Sequence, residues 1–403
     1  MTLQQSIHQW LTSLPEDQVR QLRNVTPLAA GRIELDGREV VDFASNDYLG
    51  LAHHPELIAR ATRWMQDLGV GARASRLISG NFDALTELEQ KLSRAKGTES
   101  ALIFGSGFQV NSAVLAALLQ RPLHQTSTIR VFTDRLCHAS FHFGLAASGL
   151  KQSRYRHNDL RHLDELLESG LGQGESALIA TESVFSMEGD RLDVAQARAL
   201  AQKYDALLYI DEAHATGVLG PRGMGLMATP CESGTHKESE SCEVVIGTFG
   251  KALGSYGAYV ACSQEIRNYL INRCAGLIYS TGLPPAVLGA IDAALDLVPQ
   301  MEEERAHLLR LSQRLREGLQ ALGLNTLQSD SQIIPILLPE NSQVLAVAND
   351  LLESGFLVGA IRPPTVPPGA GRLRVSLSAI HTFEQVEHFL SAMQRNISSK
   401  VTG

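Results

Sequence analysis

Between residues 101 and 261 the chain repeats one pattern: a short apolar run, a break, then residues at helical spacing. The runs are Ala101–Phe104, Ile129–Asp134, Ala177–Thr181, Ala206–Ile210 and Val244–Ile246, and Gly257–Ala261 closes the series. Short runs without polar alternation read as strands buried on both faces. Between them lie helix patterns such as Leu85, Leu88, Leu92 and Ala95 after Asp83, ended by Gly97, and residues 195–204. This alternation predicts an α/β fold, a mainly parallel sheet with helices on both faces. At 403 residues there is room for a smaller α+β C-terminal domain as well. The expected division is an N-terminal helical arm and short strand (1–50), a large domain (51–285), and a linking helix with a small domain (286–403). The arm should be an amphipathic helix over residues 3–24, broken at Pro15. Residues 284–322 should be helical throughout, followed by a strand at 333–338, a helix at 342–354, strands at 356–361 and 372–377, and a helix at 383–396.

In an open sheet of this kind, ligands lie beyond the carboxyl ends of the strands. Two such ends carry chemistry. Ala206–Ile210 leads into Asp211-Glu-Ala-His-Ala-Thr-Gly217, so Asp211 sits where a cofactor would lie. A helix cap or a strand-end turn is the bland alternative for it. Forty residues on (251 minus 211), Val244–Ile246 breaks into a glycine-rich loop holding Lys251 among Gly, Ala, Leu and Ser. The other six lysines (91, 96, 151, 203, 237 and 400) fall in polar, helix-like or terminal settings. An ammonium in an apolar pocket is disfavoured, which turns the amine into a nucleophile of the kind that forms Schiff bases. A loop lysine in a tight turn is the competing reading. Asp-Glu-Ala-His also occurs in helicase boxes, but the chain has no G-x-x-x-x-G-K-[ST] phosphate loop, and it has no H-E-x-x-H zinc pattern. No metal site is expected. After Ala101–Phe104, Gly105-Ser-Gly-Phe108 opens an apolar helix, an arrangement that aims backbone N–H groups at a phosphate.

Thr248-Phe-Gly-Lys251, Asp211-Glu-Ala-His214 and Ser45-Asn-Asp-Tyr-Leu-Gly50 together resemble the α-oxoamine synthases. These are pyridoxal 5'-phosphate (PLP) enzymes of the aspartate-aminotransferase fold type. Ala360-Ile-Arg-Pro-Pro-Thr-Val-Pro-Pro368, followed by Arg372-Leu-Arg374, is most similar to the biotin-pathway branch of that family, and the similarity runs from about Arg23 to Phe389. The resemblance implies PLP held covalently by Lys251, with Asp211 on the pyridine nitrogen, His138 flat on the ring and His214 beside the phenolic oxygen. Those four are the implied catalytic residues. It implies Ser106, Gly107, Phe108 and Thr248 on the phosphate, Ser186 near the cofactor, and Thr281 reaching the PLP phosphate of a partner in a homodimer with shared sites. Arg23 (with Arg20 as its competitor), Asn46, His138, Arg362, Thr365 and Arg374 are the implied substrate contacts. Arg73 and Arg76, in the loop Gly69–Gly80, are candidates to face the acyl donor. The reaction implied is decarboxylative condensation of L-alanine with a pimeloyl thioester, from pimeloyl-CoA or a pimeloyl-carrier protein, giving 8-amino-7-oxononanoate. A sister activity joining glycine to acetyl-CoA or another acyl-CoA is the alternative, and the Ile-Arg-Pro-Pro-Thr segment speaks against it.

Composition narrows the class. The net charge of −8 without a basic cluster argues against nucleic acid as a partner. The five cysteines (137, 231, 242, 262 and 274) include no C-x-x-C pair and read as free thiols in a reducing compartment. No signal peptide and no membrane-length apolar run stands out, so a cytoplasmic protein is expected. Residues 228–243 read as an exposed, Glu/Ser-rich loop without chemistry.

Overall fold

A computed structural model describes residues 1–120, 128–229, 243–338 and 340–401. Most of the expected loop at 228–243 lies outside the described residues, as do Cys231 and Cys242. The described chain separates into two compact units, one of residues 46–186 and 190–306, the other of 1–45, 187–189 and 307–403. This differs from boundaries drawn at 50 and 285: the N-terminal arm groups with the C-terminal residues, and the helix Pro285–Leu297 stays in the larger unit.

In the smaller unit the first helix, Leu3–Ser13, starts at a Thr2/Gln5 capping box and buries none of its residues. It stops well short of residue 24. Leu14 is extended (φ −66°, ψ 129°), as a residue preceding proline prefers. Three strands follow: β1 (Val25–Pro27), β2 (Arg32–Leu35) and β3 (Arg38–Asp42). β2 and β3 form a hairpin through Asp36 and Gly37, both at positive φ (52° and 76°), the conformation that makes Asp-Gly a hairpin signal.

The larger unit holds β4 (Ser100–Phe104), β5 (Ile129–Asp134), β6 (Gln152–Tyr155), β7 (Ser176–Glu182), β8 (Leu207–Asp211), β9 (Glu243–Thr248) and β10 (Ala258–Cys262). They form one seven-stranded sheet in the order β4-β10-β9-β8-β7-β5-β6. β10 runs antiparallel to both its neighbours, and the other pairings are parallel. The mainly parallel α/β sheet is therefore present. β6, at the edge, escaped the sequence reading because Gln152-Ser-Arg-Tyr155 shows no apolar run. Leu102, Phe104, Val110, Val114, Tyr209, Ile246 and Val260 belong to one buried core of strands and the helix Gly107–Leu118. Because β4, β5, β7, β8 and β9 point the same way, the residues leaving their carboxyl ends collect along a single edge of the sheet.

Beyond residue 284, two helices take the place of one. Pro285–Leu297 and Glu302–Ala321 are separated by a 3-10 turn, Val298–Gln300, around Pro299. The smaller unit is completed by β11 (Ile333–Leu337), β12 (Phe356–Leu357), β13 (Gly359–Ile361) and β14 (Arg372–Ser376), with helices Asn341–Glu353 and Phe383–Val401. The expected strand 356–361 is split: β12 joins β3, while β13 pairs with β14 in a three-stranded sheet, β11-β14-β13.

Candidate active site

Strand ends of the larger unit enclose a cavity of about 310 Å³. Its lining includes Asn46, Ser106, Gly107, Phe108, His138, Ser186, Asp211, His214, Thr248 and Lys251, so most of the residues singled out from sequence meet there.

One wall is a helix N-terminus. Ser106 caps Gly107–Leu118, its Oγ accepting the Gln109 N–H at 3.2 Å, which leaves the first backbone N–H groups without partners inside the helix. A Cβ on Gly107 would lie 2.8 Å from Thr248 Cγ2, so glycine is what lets the helix start approach β9 this closely. Thr248 Oγ1 is buried and has no hydrogen-bond partner among the described residues. A buried hydroxyl in that condition is costly unless a ligand completes it.

The carboxylate of Asp211, at the end of β8 and 6% exposed, also lines the cavity. Oδ2 accepts from Asn111 Nδ2 at 2.7 Å and Oδ1 from the Ala213 N–H at 2.8 Å. Asn111 is itself fixed, its Oδ1 accepting the Tyr209 hydroxyl at 2.8 Å and its Nδ2 donating to Ser140 Oγ at 3.1 Å. Ser140 Oγ also meets His138 Nδ1 at 2.7 Å, while the His138 N–H donates to Glu182 Oε1 at 2.6 Å. His138 titrates below its ordinary range. Burial is the main cause, Asp211 opposes it, and the charge of Lys251 reinforces it.

The Lys251 amine lies 2.8 Å from His214 Nε2, and His214 Nδ1 is 2.6 Å from the hydroxyl of Tyr48. That hydroxyl also donates to Asn46 Oδ1 at 3.0 Å. Behind this segment runs a buried ion pair. Lys96 Nζ donates to Glu212 Oε2 and to the Met224 carbonyl, and Glu212 Oε1 accepts the Met227 N–H at 2.9 Å. Lys96, read from sequence as a lysine in a polar helical setting, is 2% exposed. Glu212 is the residue between Asp211 and Ala213, so the pair anchors the stretch that presents both Asp211 and His214.

Other candidates lie elsewhere. Thr281 is exposed, bridges to Ser75 and does not line this cavity. Arg23, Arg362, Thr365 and Arg374 belong to the smaller unit. Arg23 is exposed, whereas Arg20 donates to Thr365 Oγ1 at 3.1 Å. Arg362 holds the carbonyls of Asp17 and Val19, and Arg374, 7% exposed in mid-strand, donates to Ser376 Oγ at 2.7 Å. Arg73 is exposed at φ 67°, while Arg76 is engaged by Glu89 and Asn81. Among the described residues there is no cluster of His, Cys, Asp and Glu suited to a metal, and no helix is long and apolar enough to cross a membrane.

Sequence reasoning missed Tyr48, Asn111, Glu182 and the Lys96–Glu212 pair. Asn111 had a legible signal, a polar amide between Val110 and the apolar run Ala113–Leu118 of a helix, which must be satisfied by something once buried. Tyr48 stood inside the Ser45–Gly50 motif and was passed over.

Known proteins resemble this chain over most of its length. The family model "Aminotransferase class I and II" matches residues 38–393. The 8-amino-7-oxononanoate synthase of Gluconacetobacter diazotrophicus is 51% identical over 363 residues, 90% of this chain and 89% of that protein. Its namesake in Geobacter sulfurreducens is 44% identical over 378 residues, 93% of each chain. Among solved structures, an SPT holding PLP superposes with TM-score 0.86 at 27% identity, covering 98% of this chain and 97% of that one. The 8-amino-7-oxononanoate synthase of Francisella tularensis gives 0.76 at 27%, covering 90% and 99%. The chain belongs to the class I and II aminotransferase family and groups there with the enzymes named 8-amino-7-oxononanoate synthase.

Proposed function

We propose that the protein is a PLP-dependent acyltransferase of biotin biosynthesis. It would join L-alanine to a pimeloyl thioester, releasing CO2 and the free thiol and giving 8-amino-7-oxononanoate. The observation that carries the reading is one cavity lined together by a helix start at Ser106–Phe108, the Thr248 hydroxyl without a partner among the described residues, the Asp211 carboxylate and the Lys251 amine. These residues fit PLP. Backbone N–H groups at Ser106, Gly107 and Phe108, with Thr248, would hold the phosphate. Asp211, held by Asn111, would take the pyridine nitrogen, and Lys251 would be the point of covalent attachment. When bound, PLP supplies an electron sink for the carbanion chemistry.

The chain's own groups do the rest. Asn111 and Ala213 hold both carboxylate oxygens of Asp211 in place. His138 packs as the flat wall, anchored through Glu182 and Ser140. Lys251 Nζ would take the α-proton of the bound alanine and return a proton to the same face. Asn46 and Arg374 would recognise the amino-acid carboxylate, Arg374 because its planar fork suits such an anion. Arg23, Arg362 and Thr365 are proposed as substrate contacts, with the segment 362–365 as a substrate-gating loop. Thr281, absent from its own chain's cavity, would serve a partner's site in a homodimer.

Mass spectrometry of products tests the proposal. PLP-loaded protein is mixed with L-alanine and pimeloyl-CoA, and separately with glycine and acetyl-CoA. A product of the mass of 8-amino-7-oxononanoate from the first mixture alone is expected. Product from glycine alone would move the protein to a sister activity, and silence in both would overturn the assigned donor.

A further inference from the structure

We propose that Tyr48 is a positioning residue that links the amide of Asn46 to the amine of Lys251 through the imidazole of His214. The inference rests on the function proposed above, in which Asn46 meets the amino-acid carboxylate and Lys251 moves the α-proton.

Four groups form a continuous line. Asn46 Oδ1 is 3.0 Å from the Tyr48 hydroxyl, that hydroxyl is 2.6 Å from His214 Nδ1, and His214 Nε2 is 2.8 Å from Lys251 Nζ. Asn46, His214 and Lys251 line the cavity, whereas Tyr48 is fully buried behind it. A phenol has one hydrogen to give, and a neutral imidazole carries its hydrogen on one nitrogen only. Two arrangements therefore satisfy the line. In the first, Tyr48 donates to Asn46 Oδ1 and accepts from His214 Nδ1–H, and bare Nε2 accepts from a Lys251 ammonium. In the second, Tyr48 turns its hydrogen to His214 Nδ1, and Nε2–H donates to a neutral Lys251 amine.

The position of one hydroxyl hydrogen thus decides whether Lys251 faces an acceptor or a donor. In the first arrangement the Asn46 amide is also oriented, since engaging Oδ1 turns the Nδ2 hydrogens to the opposite side, where a carboxylate would be received. A substrate that disturbs Asn46 reaches Lys251 by this route. The other titratable groups lining the cavity with Lys251 are Asp211, Glu182, His138 and Tyr256, and none of them is a member of the line.

Tyr48→Phe keeps the ring and removes the hydroxyl. Losing the Tyr48 oxygen as an acceptor at Nδ1 shifts the imidazole hydrogen toward Nε2, which disfavours an ammonium at Lys251. Two measurements follow. In the full chain without cofactor, the pH dependence of Lys251 acetylation, read by peptide mass spectrometry, should move down by about one unit, a tenfold loss of proton affinity. In the PLP-loaded enzyme, the acid limb of the kcat profile, which reports groups in the substrate complex, should move the same way. Curves that superimpose on the native ones in the labelling experiment would overturn the proposal. If the native protein makes no product, the functional reading fails, and labelling alone decides the role of Tyr48. Should Tyr48→Phe not fold, 3-fluorotyrosine at position 48, a better donor and poorer acceptor, must shift the labelling curve downward too, and an unmoved curve refutes the link.

Discussion

Replacing Lys96 by methionine leaves a carboxylate buried directly beside Asp211 with its ammonium gone. The Lys96 side chain is 1% exposed and that of Glu212 is 0%. Burial, the largest single effect, pulls the ammonium down, but the charge of Glu212, Tyr259 and the hydrogen bonds to both together outweigh it, and Lys96 titrates above its ordinary range. Among the described residues the Glu212 carboxylate keeps the Met227 N–H, while the Met224 carbonyl loses its Lys96 donor. Removing one member of a buried pair costs roughly 3–5 kcal/mol, most of it the uncompensated charge. Lys96→Met should therefore lose about that much stability in urea unfolding followed by far-UV circular dichroism. The double variant Lys96→Met, Glu212→Gln removes both charges and keeps an acceptor for Met227, so it should recover most of the loss. Turnover should follow the same order, because Glu212 lies in the strand-end segment that presents Asp211 and His214. A single variant within about 1 kcal/mol of the native protein would refute the argument, since that is the size of an exposed pair. So would a double variant no more stable than the single one.

Two further outcomes are expected. Thr248→Val removes a buried hydroxyl that has no partner, so the cofactor-free protein should be as stable or more so, whereas PLP should bind about tenfold more weakly, ~1.4 kcal/mol. Equal PLP affinity in equilibrium titration would dismiss the phosphate seat. His157 sits between Asp134 (3.1 Å) and Asp190 (3.2 Å). Burial works against its charge, but the two carboxylates prevail and raise it to about 10. Because the folded state holds that proton more tightly, the stabilisation is complete below the unfolded value near 6.5 and fades as pH rises through about 10. The stability gap between the native protein and His157→Gln should thus be wide at pH 6 and narrow above pH 10. A gap that does not change with pH would show that the imidazole is not held as a cation.

The sequence alone settled the layers of the larger unit. Strands buried on both faces must be apolar throughout, and their ends must be small or polar where the chain turns, so the strands at Ala101, Ile129, Ala177, Ala206 and Val244 were legible one by one. Ser106, Asp211 and Lys251 could be placed because every parallel strand delivers its carboxyl end to the same edge, whereas His138 and Ser186 were singled out by the family resemblance. Where local pattern was weak, the reading failed, as at the edge strand Gln152–Tyr155 and over residues 15–24, which do not resume the N-terminal helix after its break at Pro15.

What orients the site was decided by tertiary structure. Asn111 lies 100 residues from Asp211, Lys96 lies 116 from Glu212, and Tyr48 lies 166 from His214. Each is a polar group that folding buries, and a buried polar group must find its partner wherever the packed chain brings one. Periodicity records which residues go inside. It carries no record of which of them meet, because a hydrogen bond across a hundred residues leaves no local pattern in either partner.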